Sequence, residues 1–248
     1  MSELHPATRG FAAAAVYERG RPDYPAAAIA RIVSKLELRR GRTVLDLAAG
    51  TGKLTRLLLP SGANLIALEP VREMRSQLER QVPGVATIAG TAERIPLADG
   101  YVDAVTVGQA FHWFKRDDAL REIHRVLRPG AGLALIWNAR DERHPLQAAL
   151  SEIIDPLEGD TPRRKQGNWK TLLEESGLFE RSERSLFDHV QEVDEQGLVE
   201  RLLSISFIAA APEAVRADVE ARVRAVAREA EHPLRLPYMT ELYIGFAN

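Results

Sequence analysis

The chain has 248 residues, 45% of them apolar, a formal net charge of −2 and no cysteine. That length suits one α/β domain with additions and a substantial core. The missing cysteines exclude disulfides, thiolate metal sites and thiol catalysis, and the charge offers no basic field for nucleic acid.

The first 25 residues read as an N-terminal arm. In Tyr17-Glu18-Arg19-Gly20-Arg21-Pro22-Asp23-Tyr24-Pro25, two prolines and a glycine break any continuous helix. Such an arm either packs its aromatics on the core or covers a ligand. Pro25 then opens a helix through Leu36, with Ile29, Ile32, Val33 and Leu36 on one face. Strand 1 is expected over Thr43–Leu47, strand 2 over Asn64–Leu68, strand 3 over Val85–Ala89, strand 4 over Val102–Val107 and strand 5 over Gly132–Trp137. Helices are expected from Lys53 to Pro60, over Val71–Gln81 and over Asp117–Leu127, the last stopped by Arg128-Pro129-Gly130. Strands alternating with helices imply a doubly wound parallel sheet. Ligands in such sheets bind at the carboxyl ends of the strands. Further on, helices are expected over Leu146–Leu157, Trp169–Glu175, Glu195–Ser206 and Pro212–Glu231, with strands over Leu186–Val193 and Tyr238–Phe246. The loop 159–167 is a candidate lid. The expected organisation is a single domain over 1–248. It has the arm at 1–25, a cofactor-binding core at 26–140, and substrate helices and closing strands at 141–248. No leader and no membrane-length apolar run is read, so a soluble, cytoplasmic protein is expected.

The strand 1 exit, Asp46-Leu47-Ala48-Ala49-Gly50-Thr51-Gly52, is a small-residue turn before a helix N-terminus. Such a turn lets a ligand approach the backbone. A phosphate loop would need glycine and Ser or Thr where Leu47 and Leu54 stand. A dinucleotide fingerprint would need a third glycine where Thr55 stands. The remaining pattern is acidic-x-small-x-Gly-x-Gly. Glu69 ends strand 2, placed to accept hydrogen bonds from ribose hydroxyls, a device shared by nicotinamide enzymes.

The turn resembles the first motif of class I S-adenosylmethionine (SAM)-dependent methyltransferases, which usually have glycine where Ala48 stands. Gly90-Thr91-Ala92-Glu93-Arg94-Ile95-Pro96-Leu97, the Asp99–Val105 entry to strand 4, and Arg125-Val126-Leu127-Arg128-Pro129-Gly130 resemble later motifs of that family. The resemblance covers about residues 43–138. The arm, Gln109-Ala110-Phe111-His112-Trp113-Phe114 and Leu236-Pro237-Tyr238-Met239-Thr240-Glu241 look like the trans-aconitate-methyltransferase-like small-molecule group. The fold implied is a Rossmann-like seven-stranded, mostly parallel sheet with an antiparallel last strand and helical lid elements.

The cofactor implied is SAM, leaving as S-adenosylhomocysteine. Its expected binding residues are Tyr17, Arg21, Asp46, Ala48, Ala49, Gly50, Thr51, Gly52, Glu69, Pro70, Met74, Thr91, Ala92, Glu93, Gln109 and Ala110. Tyr24, Phe111, Trp113, Arg140 and Tyr238 are the expected substrate residues. His112 is the candidate general base, needed for a hydroxyl acceptor and not for a carboxylate. The expected activity is methyl transfer to a small molecule, with no metal, nucleic-acid or membrane partner. Monomer and homodimer both stay open. A nicotinamide oxidoreductase and a non-catalytic SAM-binding protein are the competing readings.

Overall fold

The computed structural model describes residues 18–162 and 168–248. Tyr17 and most of the expected 159–167 lid lie outside the described residues. The chain divides into two compact units. The first, a sheet unit, takes Tyr24–Asn138, Pro162–Phe187 and Thr240–Asn248. The second, a helical unit, takes 18–23, Ala139–Thr161 and Asp188–Met239.

In chain order the first elements are α1 (Ala26–Lys35), β1 (Thr43–Leu47), α2 (Lys53–Leu58), β2 (Asn64–Leu68), α3 (Arg72–Gln81), β3 (Ala86–Ile88) and β4 (Val102–Gly108). Then come α4 (Arg116–Val126), β5 (Leu127–Arg140), α5 (Pro145–Ile154), α6 (Trp169–Glu175) and β6 (Phe179–Val193). The chain closes with α7 (Glu195–Leu203), α8 (Ser206–Ala209), α9 (Glu213–Glu229) and β7 (Leu234–Ala247). The sheet has seven strands in the order β3-β2-β1-β4-β5-β7-β6, with parallel pairing from β3 to β5 and an antiparallel last strand. The expected doubly wound α/β fold is therefore present.

Alternation along each strand sends side chains to opposite faces. Leu45, Leu47, Val105, Val107, Leu133 and Leu135 pack on one side with Ile123 of α4 and Leu173 of α6. Val44, Ala104, Ala134 and Ile136 pack on the other with Ile29 and Ile32 of α1 and Leu54 and Leu58 of α2. Both faces are covered, so the central strands read as near-continuous apolar runs. The helical unit has a core of its own. Leu150 and Ile154 of α5, Leu198 and Leu202 of α7, and Val219, Val223 and Ala227 of α9 meet there.

Three expectations are corrected. Strand 5 begins at Leu127, directly after α4, because Leu127 pairs with Val102 before a bulge brings Gly132 beside Ala104. Gly130, with φ of +76°, turns inside that bulge. Strand 6 begins at Phe179; its first half is polar, so no apolar alternation announces it. The 195–206 helix is two, since the Ser204 hydroxyl bonds the Arg201 carbonyl at the C-terminus of α7.

Candidate active site

The glycine turn follows β1 and is held from three sides. The Ala49 N–H donates to the Leu68 carbonyl at 3.0 Å, the Gly52 N–H to the Ala49 carbonyl at 2.9 Å, and the Arg56 N–H to the Gly52 carbonyl at 2.8 Å. Ala48, Gly50 and Gly52 all have positive φ: +54°, +60° and +88°. A Cβ on Gly52 would stand 2.9 Å from Val82 and 3.0 Å from Leu78, so packing as well as φ demands glycine there. A Cβ on Gly50 would meet nothing within 4 Å. Gly50 therefore presents bare backbone to open space, which a ligand can approach. Ala48 holds left-handed geometry without being glycine, which costs about 1–2 kcal/mol.

Asp46 is 1% exposed and accepts from the hydroxyls of Thr55 at 2.5 Å and Thr106 at 3.0 Å. Burial pushes its carboxyl up to about 6 against those bonds. Its chemistry is to brace β1, β4 and the start of α2 against one another. Thr106 stands out in the sequence as a polar residue in an apolar strand; Thr55 gives no such signal.

Glu69 ends β2 and is 5% exposed. One oxygen accepts from the Gly50 N–H and the other from the Val71 N–H, each at 2.9 Å. Burial pushes its carboxyl up to about 7, opposed by those N–H bonds and by Arg75. Arg75 in turn donates to the carbonyls of Glu69 and Pro70, both at 2.8 Å. A buried carboxylate thus lies directly under the open backbone of Gly50. Met74, on α3 beyond Pro70, is also buried.

The β3 exit turns at Thr91, which bridges to Arg94, and Ala92 is buried behind it. Glu93 accepts from the Lys115 N–H at 3.0 Å. Arg125 clamps the stretch that follows. It donates to the Ile95 and Leu97 carbonyls, both at 2.9 Å, and pairs with Glu122 and Asp99. The β4 exit carries a second strained residue, Gln109, at φ of +59°. Tyr24 is buried against the same exit; a Cβ on Gly108 would stand 2.7 Å from its hydroxyl.

A 3₁₀ turn over Phe111–Trp113 follows. Phe111 is fully buried, edge-on to Phe114 and Trp169, so its ring is core rather than pocket wall. Half-buried His112 accepts on Nδ1 from the Trp137 indole N–H at 3.3 Å. Trp137 is itself fully buried and stacks on Trp169 at 5.0 Å between ring centres. Half-buried Trp113 lies beside His112, with ring centres 5.5 Å apart.

A carboxylate under a glycine turn suits either a nucleoside or a nicotinamide cofactor, and the comparisons with known proteins separate the two. The methyltransferase domain family matches residues 45–135. An uncharacterised methyltransferase of Mycobacterium tuberculosis is 40% identical over 235 residues, covering 92% of this chain and 91% of that protein. This chain belongs to the class I SAM-dependent methyltransferases. An uncharacterised methyltransferase-like protein of Schizosaccharomyces pombe is 34% identical over 213 residues, covering 86% of this chain and 83% of its own. The structure of a SAM-dependent methyltransferase from Aquifex aeolicus shares the fold, with a TM-score of 0.55 and 18% identity over 99% of this chain and all of that one.

The methyltransferase's other expected site residues lie in the helical unit. Arg21 donates to the Ser204 carbonyl at 3.2 Å. Arg140 and Tyr238 line one narrow cavity with Gln147, Leu150, Arg201, Leu202 and Leu236. The Tyr238 hydroxyl accepts from Arg201 Nε at 2.9 Å, and Gln147 donates to the Pro237 carbonyl at 2.8 Å. Arg140 pairs with Asp155 at 3.3 Å. The sequence shows Arg201 only as one of many arginines on helices, so nothing flagged it. Among the described residues the methyltransferase has no group of three side chains able to hold a metal, and no helix long and apolar enough to cross a membrane.

Proposed function

We propose that the chain transfers the methyl group of SAM to a small-molecule acceptor through a carboxylate or hydroxyl oxygen. The observation that carries the cofactor part of this reading is Glu69, buried beneath the open backbone of Gly50 with one N–H on each carboxylate oxygen. Each oxygen keeps capacity for a second donor, so Glu69 is fitted to accept from the two ribose hydroxyls. Ala49, Gly50, Thr51 and Gly52 let the ligand reach the backbone. Pro70 and Met74 support the β2 exit, and Ala92 and Glu93 flank the adenine. Gln109 and Ala110 lie at the β4 exit that His112 follows. When bound, SAM supplies an electrophilic methyl group on a sulfonium.

The protein's task is then alignment, which supplies on the order of 7–11 kcal/mol in well-oriented reactions. With Nδ1 accepting from Trp137, neutral His112 carries its proton on Nε2. That nitrogen is a donor, suited to orienting an acceptor oxygen rather than deprotonating it. A nicotinamide reading finds no support, since Thr55 is tied to buried Asp46 where the third glycine would stand.

Titration calorimetry with S-adenosylhomocysteine tests the cofactor. No heat with it, together with micromolar binding of NAD, defeats the proposal. A methyl-transfer screen over metabolite extracts, read by mass spectrometry, tests the acceptor. Tight S-adenosylhomocysteine binding with no methylated product would instead mark a non-catalytic SAM-binding protein.

A further inference from the structure

β6 ends the sheet, paired with β7 on one side and, among the described residues, with no strand on the other. Such an edge presents a row of backbone N–H and C=O groups ready to pair with another chain. Short length, proline or lysine commonly blunts an edge. β6 runs fifteen residues, Phe179–Val193, and contains neither proline nor lysine. Arg181, at φ of +52°, interrupts the alternation near its start. From Glu183 onward the alternation is regular. Odd positions are half-buried: Glu183 accepts from Lys35 of α1 at 2.9 Å, and Phe187 packs against the cluster that holds Ile29 and Ile32. Even positions, Arg184, Leu186, Asp188, Val190 and Glu192, are all exposed.

Leu186 is 50% exposed and Val190 42%. The charges around them identify what covers them. A twofold antiparallel pair of β6 strands sets each residue opposite one of the same face. Centred on Leu186, it sets Leu186 against its own counterpart, Arg184 against Asp188, and Val190 against Ser182. Centred on Arg184 or Asp188, it sets like charges together at the axis; centred on Val190, it sets Asp188 against Glu192. Centred on Ser185, Phe187 or His189, it sets a charge against Leu186 or Val190. Of these registers, the one at Leu186 brings apolar to apolar and cation to anion. Its next pair on this face would join Glu180 to Glu192, but the irregularity at Arg181 ends the regular ladder first. Arg184 gives one N–H to Glu241 at 3.1 Å, and its side chain stays 45% exposed, so other donors of the fork remain for Asp188.

We propose that β6 is the surface through which a second copy of this chain docks, edge to edge and antiparallel, with the twofold axis at Leu186. Backbone hydrogen bonds supply the ladder. Leu186 and the two Arg184–Asp188 pairs fix its register, since like charges directly opposite are destabilising. This stands apart from the SAM reading, because the pairing needs no methyl donor.

The experiment is sedimentation of the full chain, without SAM, from micromolar to submillimolar concentration. A dimer in equilibrium with monomer is the expected result. Leu186→Lys and Leu186→Glu each place like charges at the axis, so each alone should weaken the dimer at least about tenfold. An equal mixture of the two should recover it as a mixed dimer, which also shows that both variants fold. The chain has no cysteine, so Leu186→Cys gives one thiol per copy. A short bis-maleimide should link Leu186→Cys to itself, and should not link Val190→Cys, whose counterpart lies eight positions away along the strand. A wild-type protein that stays monomeric throughout would overturn the proposal. So would a dimer that Leu186→Lys leaves intact, or one in which Val190→Cys links as readily as Leu186→Cys.

Discussion

The indole N–H of Trp137 donates to Nδ1 of His112 across 3.3 Å. Indole nitrogen is only ever a donor, so Nδ1 must accept and the neutral ring must carry its proton on Nε2. The bond joins a buried residue of β5 to the turn after β4, and it decides what His112 offers. The base role read from the sequence needs a free lone pair on Nε2, which this tautomer lacks. As a donor, His112 can be replaced by another donor. His112→Gln should keep turnover within about tenfold, whereas His112→Phe should lose about a hundredfold, the range of one positioned polar group. Equal, severe loss in both variants would restore the base.

Glu69 links cofactor binding to pH. Its carboxyl is raised from 4.5 to about 7, chiefly by burial, so the folded chain holds a proton that the unfolded chain has released. Stability of the ligand-free protein should therefore fall as pH rises from about 4.5 to 7, by on the order of 3 kcal/mol from this group alone. Asp46, raised to about 6, acts in the same direction. Ribose hydroxyls favour the ionised form, so S-adenosylhomocysteine binding near pH 6.5 should release a proton. Calorimetry in buffers of different ionisation enthalpy measures it. In Glu69→Gln the release should vanish and affinity should fall more than about tenfold. Unchanged affinity removes Glu69 from the site.

The two turn glycines should fail differently. Gly52→Ala drives a Cβ into Val82 and Leu78 at positive φ, so denaturation should show a loss of about 2 kcal/mol or more. Gly50→Ala meets open space, so its stability should fall by only about 1–2 kcal/mol. Its S-adenosylhomocysteine affinity should drop sharply, because the methyl fills the approach to the backbone. Ala48→Gly should relieve strain and raise stability by up to about 1 kcal/mol. Equal affinity losses in the two glycine variants would mean that the space before Gly50 is not where the cofactor lies.

Arg125 restrains the segment after Ala92 and Glu93 through two carbonyls and two acids. Arg125→Lys cannot reproduce that fork. We expect a stability loss of about 1–3 kcal/mol, with faster amide exchange across 95–99. Unchanged exchange there would show that the clamp is redundant.

The fold was legible because both faces of the sheet are buried. Strands such as Leu65–Leu68 and Val102–Val107 show as apolar runs, and α4 as a stripe of Leu120, Ile123 and Val126. The start of β6 was not, because Glu180, Arg181 and Arg184 are exposed and carry no burial signal. Phe111 looked like a pocket wall because aromatic residues after a strand suit either role; only its contacts with Trp169 and Phe114 made it core.

By itself, the sequence determined the alternation of strands and helices and the strand exits that carry the candidate site, while the cofactor class came from its resemblance to a family and from its relatives. The first two follow from local composition, namely hydrophobic period, small turn residues and the spacing of Asp46 to Glu69. Tertiary structure alone decided the state of each group. Trp137 set the His112 tautomer from 25 positions away. Burial raised the carboxyls of Asp46 and Glu69. Packing buried the Arg201 guanidinium and tied its Nε to the Tyr238 hydroxyl. Charge state and bond direction depend on which atoms meet in space, and neighbours in the chain do not report that.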